Sequence, residues 1–137
     1  MVDLQAVGSR KKMESKYNFK FEELLVYQKS MVFGEFVHSQ VKSFPKEERF
    51  ELVSQFKRAS DSIALNIAEG SGGTDKQFHN YLGNAWHSAH ECVSCSSKAF
   101  LRNYISLEIN ESNREYLSEL TKMISSLRNI ISKRINS

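Results

Sequence analysis

In residues 52–67, Leu52, Phe56, Ala59, Ser60, Ile63 and Ile67 fall on one broad face at the helical period of about 3.6 residues, and the run ends at Gly70. Three other segments carry stripes of the same period, and none shows the sustained apolar–polar alternation of a half-buried strand. Breakers are scarce, with 1 proline and 6 glycines in 137 residues. Long amphipathic helices on short connections must bury their stripes against one another. The pattern therefore predicts an all-α fold, an antiparallel up-and-down four-helix bundle.

The first helix is predicted over residues 21–42, stopping ahead of Pro45, because the residue before a proline is pushed out of the helical region. It is apolar nearly all round: Leu24, Tyr27, Met31 and Val41 cover one side, Leu25, Val32 and Phe36 a second, and Val26, Phe33 and Val37 a third. The second helix is predicted from near Pro45 to Gly70, with Glu47 and Glu48 favourable to its dipole. After the SGGT turn, Thr74 and Gln77 have capping-box spacing and open a third helix, whose core line is Phe78, Leu82, Ala85, Ala89, Val93 and Phe100. The fourth is predicted to start near Asn110 or Ser112, with a box to Glu115 and a stripe of Leu117, Leu120, Ile124, Leu127 and Ile131. The expected core is led by Leu24, Met31, Phe56, Ile63, Ile67, Leu82, Ala89, Leu120, Ile124 and Leu127.

A chain of 137 residues is one domain, large enough to hold a core without disulfides or metals. No run approaches the roughly 20 apolar residues of a membrane helix, and no signal-like stretch opens the chain, so a cytoplasmic protein with reduced Cys92 and Cys95 is expected. Residues 1–20 hold 5 Lys or Arg and 2 Asp or Glu, a balance of +3 that equals the net charge of the whole chain. With GSRKK inside it and no apolar period, the segment 1–18 reads as a mobile basic tail ahead of a bundle domain at 19–137.

Candidate chemistry concentrates on the third helix, in His79, His87, His90, Glu91, Cys92 and Cys95. Two residues advance a helix by about 200°, so His90 and Cys92 face apart, and Cys92 with Cys95 is too small a ligand set for zinc. HSAHE has the wrong order for a helical zinc-protease motif, and CVSC lacks the strand that precedes a thioredoxin-like motif. GSGGTDK lacks phosphate-loop spacing and follows a helix. No nucleophile–base pair emerges, so the expectation is a protein without catalysis, metal or cofactor. For nucleic acid, Lys57, Arg58, Lys76, Arg128, Lys133 and Arg134 can meet phosphates, and Tyr81 or Trp86 can stack on bases, although bundle aromatics are usually packing.

Leu65 breaks the pattern. It sits in the arc opposite the core stripe of its helix, among Arg58, Ser62, Asn66 and Glu69. A lone exposed Leu is common, but the first helix also carries more apolar surface than one core absorbs, and the two excesses together favour association between copies. Leu65 is then expected to pack on the Val26, Phe33, Val37 side of a neighbour's first helix, with Arg58, Asn66 and Glu69 supplying directional bonds. The alternative is that Asn66 and Glu69 tie down the glycine turn within one subunit.

VYQKSM (26–31), FPKEERFELVSQFKRASDSIALNIAEG (44–70) and KQFHNYL (76–82) resemble the family of 23S rRNA intervening-sequence proteins, over about residues 21–135. SIALNIAEG is the most specific part; Ala64 and Leu65 stand where members commonly carry Pro-Ser, and Tyr27 stands where Trp is frequent. The resemblance implies a homopentameric ring of bundles without catalytic activity. A related group serves as accessory subunits of reverse transcriptases in diversity-generating retroelements, where a basic barrel engages polymerase and nucleic acid. Residues and resemblance together lead to a non-enzymatic scaffold or adaptor that binds RNA or an RNA-handling partner. The alternatives are a reverse transcriptase accessory subunit and a purely protein-binding assembly.

Overall fold

The computed structural model of the chain describes residues 14–137. The GSRKK cluster of the basic tail lies outside the described residues. Four helices follow in order, α1 (Leu25–Gln40), α2 (Leu52–Ser71), α3 (Asp75–Leu101) and α4 (Leu107–Ile135), and there is no strand among the described residues. Each helix packs on the next, and α1 closes the bundle more thinly against α4. This is the expected all-α up-and-down four-helix bundle.

Local chemistry explains the helix ends. A 3-10 turn at Lys20–Glu23 leads into α1, and another at Val41–Ser43 ends it before Phe44, whose extended backbone is the conformation proline imposes on its predecessor. Thr74 caps α3 as expected: its hydroxyl accepts from Gln77 N at 3.2 Å while the Gln77 side chain accepts from Thr74 N at 2.8 Å. At the other end of α3, Asn103 adopts the left-handed conformation, φ 63°. The bonds Asn103 N→Phe100 O (3.0 Å) and Tyr104 N→Ala99 O (2.8 Å) form a Schellman motif there.

Two helix starts differ from expectation. Residues 46–51 form a 3-10 turn and a bend, so α2 opens at Leu52 rather than near Pro45. The cause is Glu48, whose buried carboxylate accepts from Arg102 Nη1 (2.7 Å) and the Tyr104 hydroxyl (2.8 Å) of the α3–α4 connection. That tertiary clasp overrides local helix propensity. The fourth helix starts at Leu107, not at Asn110 or Ser112, because Ser106 is the cap, its hydroxyl accepting from Ile109 N at 3.1 Å.

Of the expected core leaders, Phe56, Ile63, Ile67, Leu82, Ala89, Leu120 and Ile124 are buried, Leu24 and Leu127 are half-buried, and Met31 is exposed. On α1 the core stripe is Val26, Phe33 and Val37, with Phe36 beside it. Small residues accompany this side among the three apolar ones. Ser30 and Gly34 flank the stripe and are buried, and a Cβ on Gly34 would lie 3.3 Å from Asp61 Oδ1 of α2, so this is the side that lets the two helices approach.

A buried polar ladder crosses the core. Gln40 of α1 and Asn113 of α4 exchange amide hydrogen bonds of 2.8 and 3.0 Å, Asn113 Nδ2 also donates to Ser96 Oγ of α3 (2.9 Å), and Ser96 donates to Asn110 Oδ1 (2.7 Å). These directional bonds fix the register of three helices in a way that sliding apolar stripes cannot.

Candidate functional site

Leu65 is 64% exposed on the outer face of α2, with Arg58 and Glu69 exposed on the same arc. Asn66 is engaged within its own subunit: its Nδ2 donates to the Ser62 carbonyl (2.7 Å) and hydroxyl (3.0 Å), and the Ser62 and Ser88 hydroxyls share a 2.8 Å bond that ties α2 to α3. Val26, Phe33 and Val37 are likewise engaged in the core of their own chain, so they present no surface to a neighbour. The expectation that they receive Leu65 is corrected, because a side chain closed off within one chain has no area left to bury.

The edge of α1 that borders α2 on the outside is a different one. His38 of α1 meets Asp61 of α2 at 2.8 Å. Met31 lies two turns before His38 on the same edge. Met31 is 43% exposed, and Tyr27, one turn further on, is half-buried with its ring edge-on to Phe21 at 5.1 Å. The turn at Lys20–Glu23 packs on both α1 and α2. Phe21, Tyr27 and Met31 are thus incompletely covered by their own chain, as is Leu65 on the outer face of α2.

The six expected phosphate-binding cations do not converge. Lys76, Arg128, Lys133 and Arg134 belong to the end of the bundle that holds the 72–74 turn, whereas Lys57 and Arg58 stand 12 or more residues earlier on α2, about 20 Å away along the helix. Arg128 is half-buried, packs its guanidinium over Gly83 and donates from Nε to the His79 carbonyl at 3.3 Å; Arg134 approaches Asp75 at 3.7 Å. Tyr81 is half-buried with its Cβ against Gly70, and Trp86 is half-buried with the His90 ring tilted over it at 3.8 Å, so both rings are partly covered.

The opposite end holds an open groove of about 370 Å³ lined by Phe50, Glu51, Leu52, Gln55, Arg58, Glu91, Lys98 and Arg102. Phe50 is 83% exposed, with the Arg49 guanidinium over its ring at 5.2 Å. Of these, the sequence marks Arg58 as a phosphate-binding candidate, Glu91 as part of the third-helix cluster and Leu52 as core. The groove draws on the bend before α2, on α2 itself and on the end of α3, and the bend was read as regular helix. Beneath it, the Tyr104 hydroxyl, with Arg102 and the Leu52 N–H, holds the Glu48 carboxyl below its ordinary value of 4.5 against the opposing effect of burial. A depressed folded-state pKa contributes stability above the ordinary value that is lost as pH falls through the folded one. Acid unfolding followed by circular dichroism is expected to lose part of its pH dependence below about pH 4.5 in Glu48→Gln. An unchanged acid limb would refute the clasp.

The histidine and cysteine cluster separates as the helix period requires. His87 and His90 are exposed, while Cys92 and Cys95 are buried in the core. Burial pushes both thiols up, that of Cys95 to about 11, so neither is an activated thiolate at neutral pH. Among the described residues, no three His, Cys, Asp or Glu side chains gather where they could share a metal.

A family model described as 23S rRNA-intervening sequence protein matches residues 22–126. The chain is also similar to a solved structure, a protein with unknown function from the S23 ribosomal protein family of Bacteroides thetaiotaomicron VPI-5482, with 26% sequence identity and a TM-score of 0.72 over 81% of this chain and 99% of that one. Comparison with curated proteins finds no match.

Proposed function

The chain belongs to the 23S rRNA-intervening sequence protein family, and from that premise we propose that it is a non-enzymatic homo-oligomeric scaffold, a ring of five bundles, whose assembled surface engages RNA or an RNA-handling partner. The observation that carries the reading is the apolar surface left exposed by Leu65 on α2 and Met31 on α1, on a bundle whose own core is already filled by Val26, Phe33, Val37 and their partners. Burying one Leu adds about 1.5–3 kcal/mol per contact before ordering costs, and a ring repeats that contribution at every interface. The reading without catalysis is supported by the protonated thiols and by the isolation of His38 and Asp61, which share no hydrogen bond with a Ser, Thr or Cys among the described residues.

Light scattering tests the assembly. With a chain of 15.8 kDa, a pentamer weighs 5 × 15.8, or 79 kDa. Leu65→Asp places a charge in each interface and is expected to shift the protein to monomers at micromolar concentration with its helical circular dichroism intact. Wild type that scatters as a monomer rejects the ring. The RNA half is tested separately by filter binding at two salt concentrations, where affinity that falls steeply with salt is expected.

A further inference from the structure

Phe50 and its surroundings are accounted for neither by the bundle nor by the ring contact. The ring is 83% exposed in the bend that enters α2, where it contributes little to the core. Cations stand around it: Arg49 lies over the ring, and Arg58, Lys98 and Arg102 line the adjoining groove together with the carboxylates of Glu51 and Glu91. With Glu48, which pairs with Arg102, four positive and three negative side chains leave an excess of +1. We infer that this groove binds an unpaired stretch of RNA, with one base stacked on Phe50 and the flanking phosphates met by Lys98, Arg102 and Arg58.

The chemistry fits an unpaired nucleotide better than a duplex or an apolar ligand. Stacking on an exposed ring needs a base free of its own neighbours and tolerates any sequence, while the surrounding cations track the backbone. The groove, about 370 Å³, has the size of a nucleotide-sized pocket. Arg102 is held in place by one nitrogen on Glu48 at 2.7 Å, yet its guanidinium keeps further N–H donors for a phosphate, so the contact is oriented in advance. Glu91, bonded by Gln55 Nε2 at 3.4 Å, and Glu51 confine the phosphates to the side of Lys98 and Arg102.

The inference rests on the RNA half of the reading above, and one titration separates the two. A short labelled oligouridine is followed by fluorescence anisotropy against wild type, Phe50→Ala and Lys98→Ala at low and moderate salt, with an unlabelled duplex of equal length as competitor. Phe50→Ala is expected to weaken binding about tenfold at both salt concentrations, and Lys98→Ala to lower the salt slope by about one. The duplex is expected to compete poorly. Wild type that fails to bind at low salt overturns both the groove and the RNA reading. Wild type that binds while both variants match it, or a duplex that competes as well as the single strand, overturns the groove alone.

Discussion

Asn113→Ala is expected to lose about 3 kcal/mol or more of folding stability, measured by urea unfolding at fixed protein concentration. Asn113 is fully buried and serves two partners. Its amide both donates to and accepts from Gln40, and it also donates to Ser96. Alanine leaves the Gln40 N–H and carbonyl unpaired between α1 and α4, and each orphaned buried group costs about 1–3 kcal/mol. Against a total stability of about 5–15 kcal/mol, the loss is a large fraction. The control is the pair Gln40→Leu with Asn113→Leu. Removing both partners leaves nothing unsatisfied, since Ser96 still donates to Asn110, so the double variant is expected to lie far closer to wild type than the single one. Should the double variant be the less stable of the two, the ladder does not act through paired amides. A second expectation attaches to the same pair. Because its amides set the register of α1 on α4, where packing is thinnest, the double variant is expected to lose near-ultraviolet dichroism before far-ultraviolet dichroism on mild heating.

How much of this was readable in the sequence depends on whether a feature is local. The Thr74–Gln77 box was readable because cap and partner are three residues apart. Three of the core stripes were readable because each of those helices has one dominant apolar side. On α1 three sides competed, and the inward side, Val26, Phe33 and Val37, is the one flanked by the buried Ser30 and Gly34, of which Gly34 lies against Asp61 and Ser60 of α2. The sequence pattern counted large apolar residues and overlooked the small ones that permit approach. Glu48 shows the same limit from another direction: KEE after a proline reads as a first helical turn, and only the distant Arg102 and Tyr104 turn it into a bend. Phe50 acquires its exposed position from that bend, so the groove depends on the distant Glu48 clasp and has no local sequence signal. The exposure of Leu65 was readable from the helix period alone, whereas that of Met31 depended on which side of α1 went inward.

Gly70 ends the SIALNIAEG string and is the position where the largest response to one added carbon is expected. A Cβ there would lie 2.5 Å from Tyr81 Cβ and 3.1 Å from Phe78 Cδ1, both on α3. The first of these atoms sits next to the α3 backbone and cannot rotate away. The two helices cannot separate to make room either, because the turn between them is tight, with Gly73 N bonded to Gly70 O at 3.1 Å and Thr74 capping α3 immediately after. Overpacking of this kind costs about 1–3 kcal/mol or more, against a gain of about 1 kcal/mol from replacing glycine with alanine in a helix. The penalty wins at Gly70. Gly34→Ala provides the comparison, since the atom it would meet at 3.3 Å is Asp61 Oδ1, the end of a half-exposed side chain that can give by a few tenths of an ångström. There the propensity gain offsets the crowding. Thermal unfolding is therefore expected to show Gly70→Ala lowered by several degrees and Gly34→Ala close to wild type, at roughly 3–5 °C per kcal/mol for a domain of this size. Equal melting temperatures for the two variants would mean that α2 and α3 can move apart at the glycine turn, and the contact with Tyr81 would then not be what requires glycine at the end of the string.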